Sequence, residues 1–301
     1  MESERGQART IRLKEFNPGM VRPATPEESY LLHTDGSLKK CNTVLRSDNN
    51  GFLVTGNALS GGRKKIAILG DSFVESYWAS AETKRWVSVA ERCLEDLAPG
   101  RFSLLNGGYS GSTSLHMALS LPAKMRVLFT DLAGVILFVP SCDTEVADLK
   151  HTYWTKDTYW SPLSPYNHPG DLPAGEFDIY QDIRANWGLM LSYLRAYDVP
   201  VVVASSPTRT ALVEDDPFIL DKFSNNEEFN IWSSRNQRLM RAVLDFAENQ
   251  GVETIDTYKF PWPLNGSYPF FYDYLHLNDQ GQSFFGRLIA EKIHGINLWK
   301  I

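Results

Sequence analysis

Cysteine is scarce in this chain. There are 3, at Cys41, Cys93 and Cys142, and no two of them form a CxxC pair. That excludes a disulfide-stapled scaffold and a zinc ribbon, and it predicts a reducing, cytoplasmic setting. Long apolar runs are also missing. The longest, Val135 to Val139 with Ala133 and Gly134 before it, is far too short to cross a bilayer, so no membrane span is expected. The opening stretch MESERGQART is polar and does not read as a signal peptide. No block of five or more Lys and Arg occurs, and 30 Lys+Arg against 36 Asp+Glu leaves a net charge of −6. Neither nucleic acid nor an anionic membrane is therefore expected as a partner. His116, His151 and His168 fall at no metal-ligand spacing, so no metal and no cofactor are expected. There is no repeat and no low-complexity tract. What remains is an ordinary globular composition, 43% hydrophobic and 12% aromatic, in a chain of 301 residues. That is enough for a substantial core.

Two textures divide the chain. Residues 1–62 are rich in turn signals, among them Asn17-Pro18-Gly19, Asp35-Gly36 and Asn49-Asn50-Gly51. Short strand-like pieces lie between them: Thr10–Phe16, Tyr30–His33 and Thr43–Arg46. Asp35-Gly36 is a hairpin signal. This part reads as a small β-rich extension packed on the core. From residue 63 to 301 strands and helices alternate. Lys65–Leu69, Phe102–Leu105, Gly134–Val139, Val201–Ser205 and Glu253–Asp256 are the strands. Helical spacing runs from Val74 to about Leu97, from Ser114, over Ile183–Tyr197, over Ser233–Gln250 and over Gly281–His294. Continuous apolar strands separated by helices predict an α/β fold, a three-layer α/β/α sandwich on a five-stranded parallel sheet of the flavodoxin-like kind. Its site should lie at the carboxyl ends of the strands. Two inserts, about 147–182 and 207–230, follow strands and belong on that rim. The first is aromatic, with Trp154 and Trp160; the second is acidic.

The sharpest local signal is Ile68-Leu69-Gly70-Asp71-Ser72-Phe73. A buried strand runs through Gly-Asp-Ser into a helix, which exposes Ser72 above the strand end, where free backbone N–H groups favour an oxyanion. The same pattern suits a serine that only caps its helix. Near the other end stands Asp273-Tyr274-Leu275-His276-Leu277-Asn278. A serine nucleophile needs a base, and the base needs a group that fixes its tautomer. Asp273 can do that for His276 from the same loop. Between them, Asn106-Gly107-Gly108-Tyr109-Ser110-Gly111 is a glycine-rich turn between strand and helix. It permits close backbone approach to a ligand, or is a plain tight turn.

Taken together, GDSF at the first core strand, the glycine block and DxxHLN near the end resemble the SGNH/GDSL hydrolase superfamily over residues 64–296. The resemblance implies a catalytic triad of Ser72, Asp273 and His276, and an oxyanion hole that includes the backbone of Ser72 and Gly111. The third block departs from the family pattern. Where Gly-x-Asn-Asp is usual, this chain has Pro140-Ser141-Cys142-Asp143, so Cys142 stands at the position of the oxyanion-donating Asn. A thiol donates more weakly than an amide, and Ser141 is a candidate substitute. The bland reading of Cys142 is a small residue filling a strand end. Asn42 and Arg46–Phe52 resemble bacterial SGNH proteins linked to surface polysaccharides, which implies a carbohydrate ester as substrate.

The expected activity is that of a carboxylic ester hydrolase removing an ester, an O-acetyl group foremost, from a small molecule or glycan. Asp71, His116, Ser141, Trp154 and Trp160 are the candidate substrate contacts, the two tryptophans by stacking on sugar faces. For those tryptophans, packing of the insert onto the core is the competing reading. An acyltransferase acting on a glycan, or a weakly active glycan-binding protein on the same scaffold, are the alternatives.

Overall fold

A computed structural model describes residues 10–58, 61–147, 153, 159–160, 162–164, 179–210, 222–262, 268–297 and 299. Among the described residues nine strands and eight α-helices are numbered in chain order, α5 being Cys142–Val146. The centre is a five-stranded sheet of β4 (Lys64–Gly70), β5 (Phe102–Gly108), β6 (Leu132–Val139), β8 (Val201–Ser205) and β9 (Glu253–Ile255), in the order β5-β4-β6-β8-β9. Every pairing in it is parallel. This is the predicted α/β/α sandwich. Side chains alternate across the strands, so each face collects its own core. Ala67, Leu69, Val135, Leu137 and Val203 pack with helices α4 (Ser114–Ala123), α6 (Ile179–Ala196) and α7 (Asn226–Asn249). Ile66, Ile68, Ile136, Phe138 and Ala204 pack with α3 (Trp86–Leu97) and α8 (Asp279–Gly295). All of β6 is buried, as its unbroken apolar run requires. Among the described residues no helix is long and apolar enough to cross a membrane.

The stretch read as one helix from Val74 to Leu97 is two. Helix α2 covers only Ser72–Glu75 and ends where Ser76 adopts a left-handed φ of 55°. A loop follows, held where Ser80 N–H donates to the Asp279 carboxylate at 3.0 Å, before α3 begins. The helical spacing of the apolar residues carried through the break, because the loop also buries Ala79.

The first part of the chain holds a small antiparallel pair, β2 (Val21–Ala24) with β3 (Thr43–Arg46). Tyr30–His33, read as strand-like, falls instead on the short helix α1 (Glu28–Leu32). Asp35-Gly36 is a local turn, in which Asp35 accepts from the N–H and hydroxyl of Ser37, and no strand pair closes directly across it. Phe16, Ala24, Leu45 and Leu53 make its own core. The extension is bound to the sheet at its edge, where Leu53 N–H donates to Asn106 O at 2.9 Å. It is bound to the C-terminal loop as well, through Asp35 N–H to Tyr272 O at 3.0 Å and Asn278 to Ser37 Oγ at 3.0 Å. Its first strand, β1 (Thr10–Ile11), pairs with β7 (Leu163–Ser164) of the aromatic insert.

Candidate active site

β4 ends at Gly70, and the chain turns at once into α2. Asp71 caps that helix by accepting from Phe73 N–H at 3.1 Å, and Ser72 is its first residue. Ser72 therefore sits at the carboxyl end of a central strand, partly exposed. The opposite side of the site comes from the loop between residues 271 and 278. Phe271 and Leu277 form an antiparallel bridge, which folds the segment between them into a tight loop. Asp273 Oδ1 accepts from the N–H groups of Leu275 at 2.7 Å and His276 at 2.6 Å. Asn278 then caps α8 by accepting from Gly281 N–H at 3.0 Å. The spacing Asp-x-x-His-Leu-Asn is thus a self-bonded loop followed by a helix cap.

Ser72, His276 and Asp273 meet in one hydrogen-bonded line. His276 Nε2 lies 2.8 Å from Ser72 Oγ, and His276 Nδ1 lies 2.6 Å from Asp273 Oδ2. A carboxylate beside Nδ1 fixes the proton there, which leaves Nε2 free to accept from the serine hydroxyl. Burial pushes Asp273 up, but the His276 imidazole and the two backbone N–H groups outweigh it and hold the carboxyl below its ordinary value. Burial pulls His276 down, yet the adjacent Asp273 charge, with Asp71 and Glu75 further off, leaves the imidazole above its ordinary value. Asp273 has a further partner that the sequence did not suggest: the Tyr30 hydroxyl donates to the same Oδ2 at 2.9 Å. The Tyr272 ring stacks on the His276 ring at 5.6 Å.

A cavity of about 740 Å³ opens beside Ser72 and His276. Its wall is aromatic on one side, with Tyr30, Tyr77, Trp78, Tyr109 and Tyr272. Its other lining residues include Arg12, Lys14, Arg22, Glu75, His116 and Tyr159. Tyr77 and Trp78 meet edge to face at 4.0 Å, and Tyr30 lies 5.8 Å from Trp78. Tyr77 and Trp78 were hidden because the helix was read straight through them. Tyr30, Arg22 and Lys14 were hidden because only the folding of the extension brings them to the site; no local pattern marks them.

The other expected site residues divide. His116 lines the cavity and also caps its own helix: Thr113 N–H donates to its Nδ1 at 3.3 Å, so the ring proton is on Nε2. Burial, with Lys14 and Arg12 nearby, takes its pKa down to about 3, so the ring is a neutral donor. Gly111 turns with a φ of 75°, and a Cβ there would meet Lys14 Nζ at 2.2 Å and the Tyr159 ring at 2.6 Å. Lys14 Nζ also donates to Ser110 O at 3.2 Å, so an ammonium group lies over the glycine turn.

Asp71 and Ser141 do not line the cavity. The Asp71 carboxylate is turned inward, where its Oδ2 accepts from Ser141 N–H at 2.8 Å. It locks the serine turn to the end of β6. Cys142 joins the same cluster, with Sγ 3.7 Å from Asp71 Oδ2, and burial pushes its thiol well above the ordinary range. The thiol is thus buried and turned to Asp71. Trp160 packs against the core and meets Tyr159 edge to face at 4.6 Å; it is not part of the cavity wall. Trp154 lies outside the described residues.

A serine hydroxyl, an imidazole and a carboxylate aligned at the carboxyl edge of a parallel sheet have the geometry of a hydrolase that works through a covalent acyl intermediate. The model of the GDSL-like lipase/acylhydrolase family matches residues 68–284, and the chain belongs to that family. Its class is that of the carboxylic ester hydrolases. Comparison with the curated proteins finds no match. Among solved structures, an acetyl xylan esterase, AlAXEase, is 16% identical, with 76% of this chain and 97% of that one covered at a TM-score of 0.49. An aryl esterase of M. smegmatis is 18% identical, covering 76% of this chain and 98% of its own at 0.49. An acetylxylan esterase of Geobacillus stearothermophilus is 14% identical, covering 80% and 99% at 0.48. Identities this low say nothing of what the present chain acts on.

Proposed function

We propose that the protein is a serine esterase that removes an acyl group, O-acetyl foremost, from a carbohydrate. The observation that carries this reading is the line from Asp273 through His276 to Ser72 opening on an aromatic cavity. Ser72 Oγ attacks the ester carbonyl while His276 Nε2 takes its proton, and Asp273 holds the resulting imidazolium. We assign the developing oxyanion to the backbone N–H groups of Ser72 and Gly111, and Lys14, whose Nζ donates to Ser110 O, adds positive charge beside Gly111. His276 returns its proton to the leaving sugar hydroxyl. Water, deprotonated by the same imidazole, then releases the acid and restores Ser72. The aromatic wall favours a sugar as the alcohol, since Tyr and Trp rings give an apolar face with a polar edge. The test is release of acetate from p-nitrophenyl acetate and from acetylated oligosaccharides by wild type and Ser72→Ala. Equal rates in the two proteins would overturn the reading.

The imidazole sets the pH profile. Only its neutral form accepts the serine proton, so activity rises with pH through the His276 pKa. Because that pKa is raised, the acid limb of kcat/KM is expected above about pH 6.5, the ordinary imidazole value. An acid limb below pH 6 on a neutral substrate would contradict this.

Tyr30 acts as a positioning residue. Its hydroxyl withdraws charge from the oxygen that faces His276 Nδ1. Tyr30→Phe is expected to move the acid limb to higher pH, since the carboxylate then holds the imidazolium more strongly. The lost hydrogen bond, about 1 kcal/mol, corresponds to a fall in kcat of about five-fold. A fall in kcat without movement of the pH limb would mean that Tyr30 only packs.

A further inference from the structure

The chain carries a net charge of −6, yet the part of the cavity wall that the extension supplies is cationic. Arg12, Lys14 and Arg22 all line it. The acidic residue that lines it, Glu75, is turned into the protein. Its Oε2 accepts from the Ser110 N–H at 2.5 Å and hydroxyl at 2.7 Å, and burial pushes its carboxyl up. Cationic side chains thus face the cavity, while the carboxylate of Glu75 is engaged inside the protein.

Arg22 is the informative member. It stands on β2, exposed to the cavity, with its guanidinium carbon 5.7 Å from the Phe16 ring and 5.8 Å from the Tyr77 ring. Among the described residues no carboxylate lies within ion-pair distance of it. Its register partner on β3 is Leu45, and Arg46, the next residue on that strand, is paired with Glu82. The charge of Arg22 acts on Glu75 through space, as does that of Arg85. Glu75 nonetheless takes its hydrogen bonds from Ser110, so the planar fork of Arg22 keeps its donors. The two rings lie within cation–π reach of its guanidinium. A planar fork beside aromatic rings suits a carboxylate bound through two parallel hydrogen bonds. The Tyr77 ring beneath it and Trp78 against Tyr77 offer a face for the sugar ring that carries the carboxylate.

We infer that the cavity takes an ester of an acidic sugar, with Arg22 receiving the sugar carboxylate while the acyl group reaches Ser72. This rests on the reading of the site as a carbohydrate esterase and names its substrate class. Arg22 is the specificity-determining residue.

The test separates binding from turnover. Ser72→Ala protein is titrated calorimetrically with an acetylated oligogalacturonide and with the same oligosaccharide after its carboxyls are converted to amides. The acid is expected to bind about ten-fold more tightly at low salt. Arg22→Gln in the same background brings the ratio close to one, and Arg22→Lys keeps part of it. The exposed position allows both variants to fold, which equal melting temperatures check. Equal affinities for acid and amide, no binding of either, or a preference untouched by Arg22→Gln overturns the inference. Wild-type turnover of p-nitrophenyl acetate is followed in parallel. Turnover without acid preference overturns the acidic-sugar inference alone. Acid preference without turnover supports the receptor and counts against the esterase reading.

Discussion

Asp273→Asn is expected to lower kcat/KM on esters by about 10³–10⁴-fold with little change in stability. The direction follows from how the carboxylate is held. Oδ1 accepts two backbone N–H groups, from Leu275 and His276, and only an oxygen can stand there. The amide nitrogen of an asparagine must then occupy the Oδ2 position, facing His276 Nδ1 and the Tyr30 hydroxyl. An N–H facing Nδ1 makes that nitrogen an acceptor and moves the ring proton to Nε2. Nε2 then donates to Ser72 instead of accepting from it, and the serine loses its base. The replacement is nearly isosteric, so the loop survives. The check is kcat/KM together with the melting temperature. A loss of less than ten-fold, in a protein that melts normally, would mean that Asp273 does not fix the tautomer.

Gly108→Ala should have a large effect on stability. An added Cβ would lie 2.2 Å from Glu75 N and 2.5 Å from Val74 C. Both are backbone atoms of α2, so no side chain can swing aside. Either β5 or α2 must move, and α2 carries Ser72. The expected loss is about 3 kcal/mol or more, or at least about 6 °C in melting temperature. Activity should fall further than stability alone accounts for, because the shift is transmitted to the serine. Gly61→Ala is the control, since nothing lies within 4 Å of a Cβ there. Thermal unfolding of both variants checks the contrast. Similar melting points for the two would contradict the close approach of β5 and α2.

Much of this molecule was legible before its structure, for identifiable reasons. The strands of the sheet are continuous apolar runs with no competing pattern, and β6 was marked by composition alone. Ser72, Asp273 and His276 were marked by short-range chemistry: a serine between a strand and a helix, and an acid placed to orient an imidazole. Residues whose role depends on distant chain were not legible. Tyr30 reaches Asp273 across 243 positions, and nothing around it in sequence signals that partner. Tyr77 and Trp78 were lost because apolar periodicity continued across the break at Ser76. The aromatic insert drew attention to Trp160, but that ring packs on the core; the insert lends Tyr159 to the cavity instead, and the other rings are Tyr30 of the extension, Tyr77 and Trp78 after α2, Tyr109 and Tyr272. Cys142 stands where an amide donor is usual, and Asp71 claims its thiol. That pairing depends on the register between β4 and β6, which spacing alone does not fix.

The central claim is that Ser72 is an activated nucleophile. The most direct measurement is labelling by a fluorophosphonate, read as the mass of the intact protein and located by peptide mapping. The account predicts one phosphonyl group per chain, on Ser72, with none in Ser72→Ala. It also predicts a rate that falls as the pH is lowered through the raised His276 pKa. A wild-type protein that takes up no label, or carries it on a residue other than Ser72, would contradict the account.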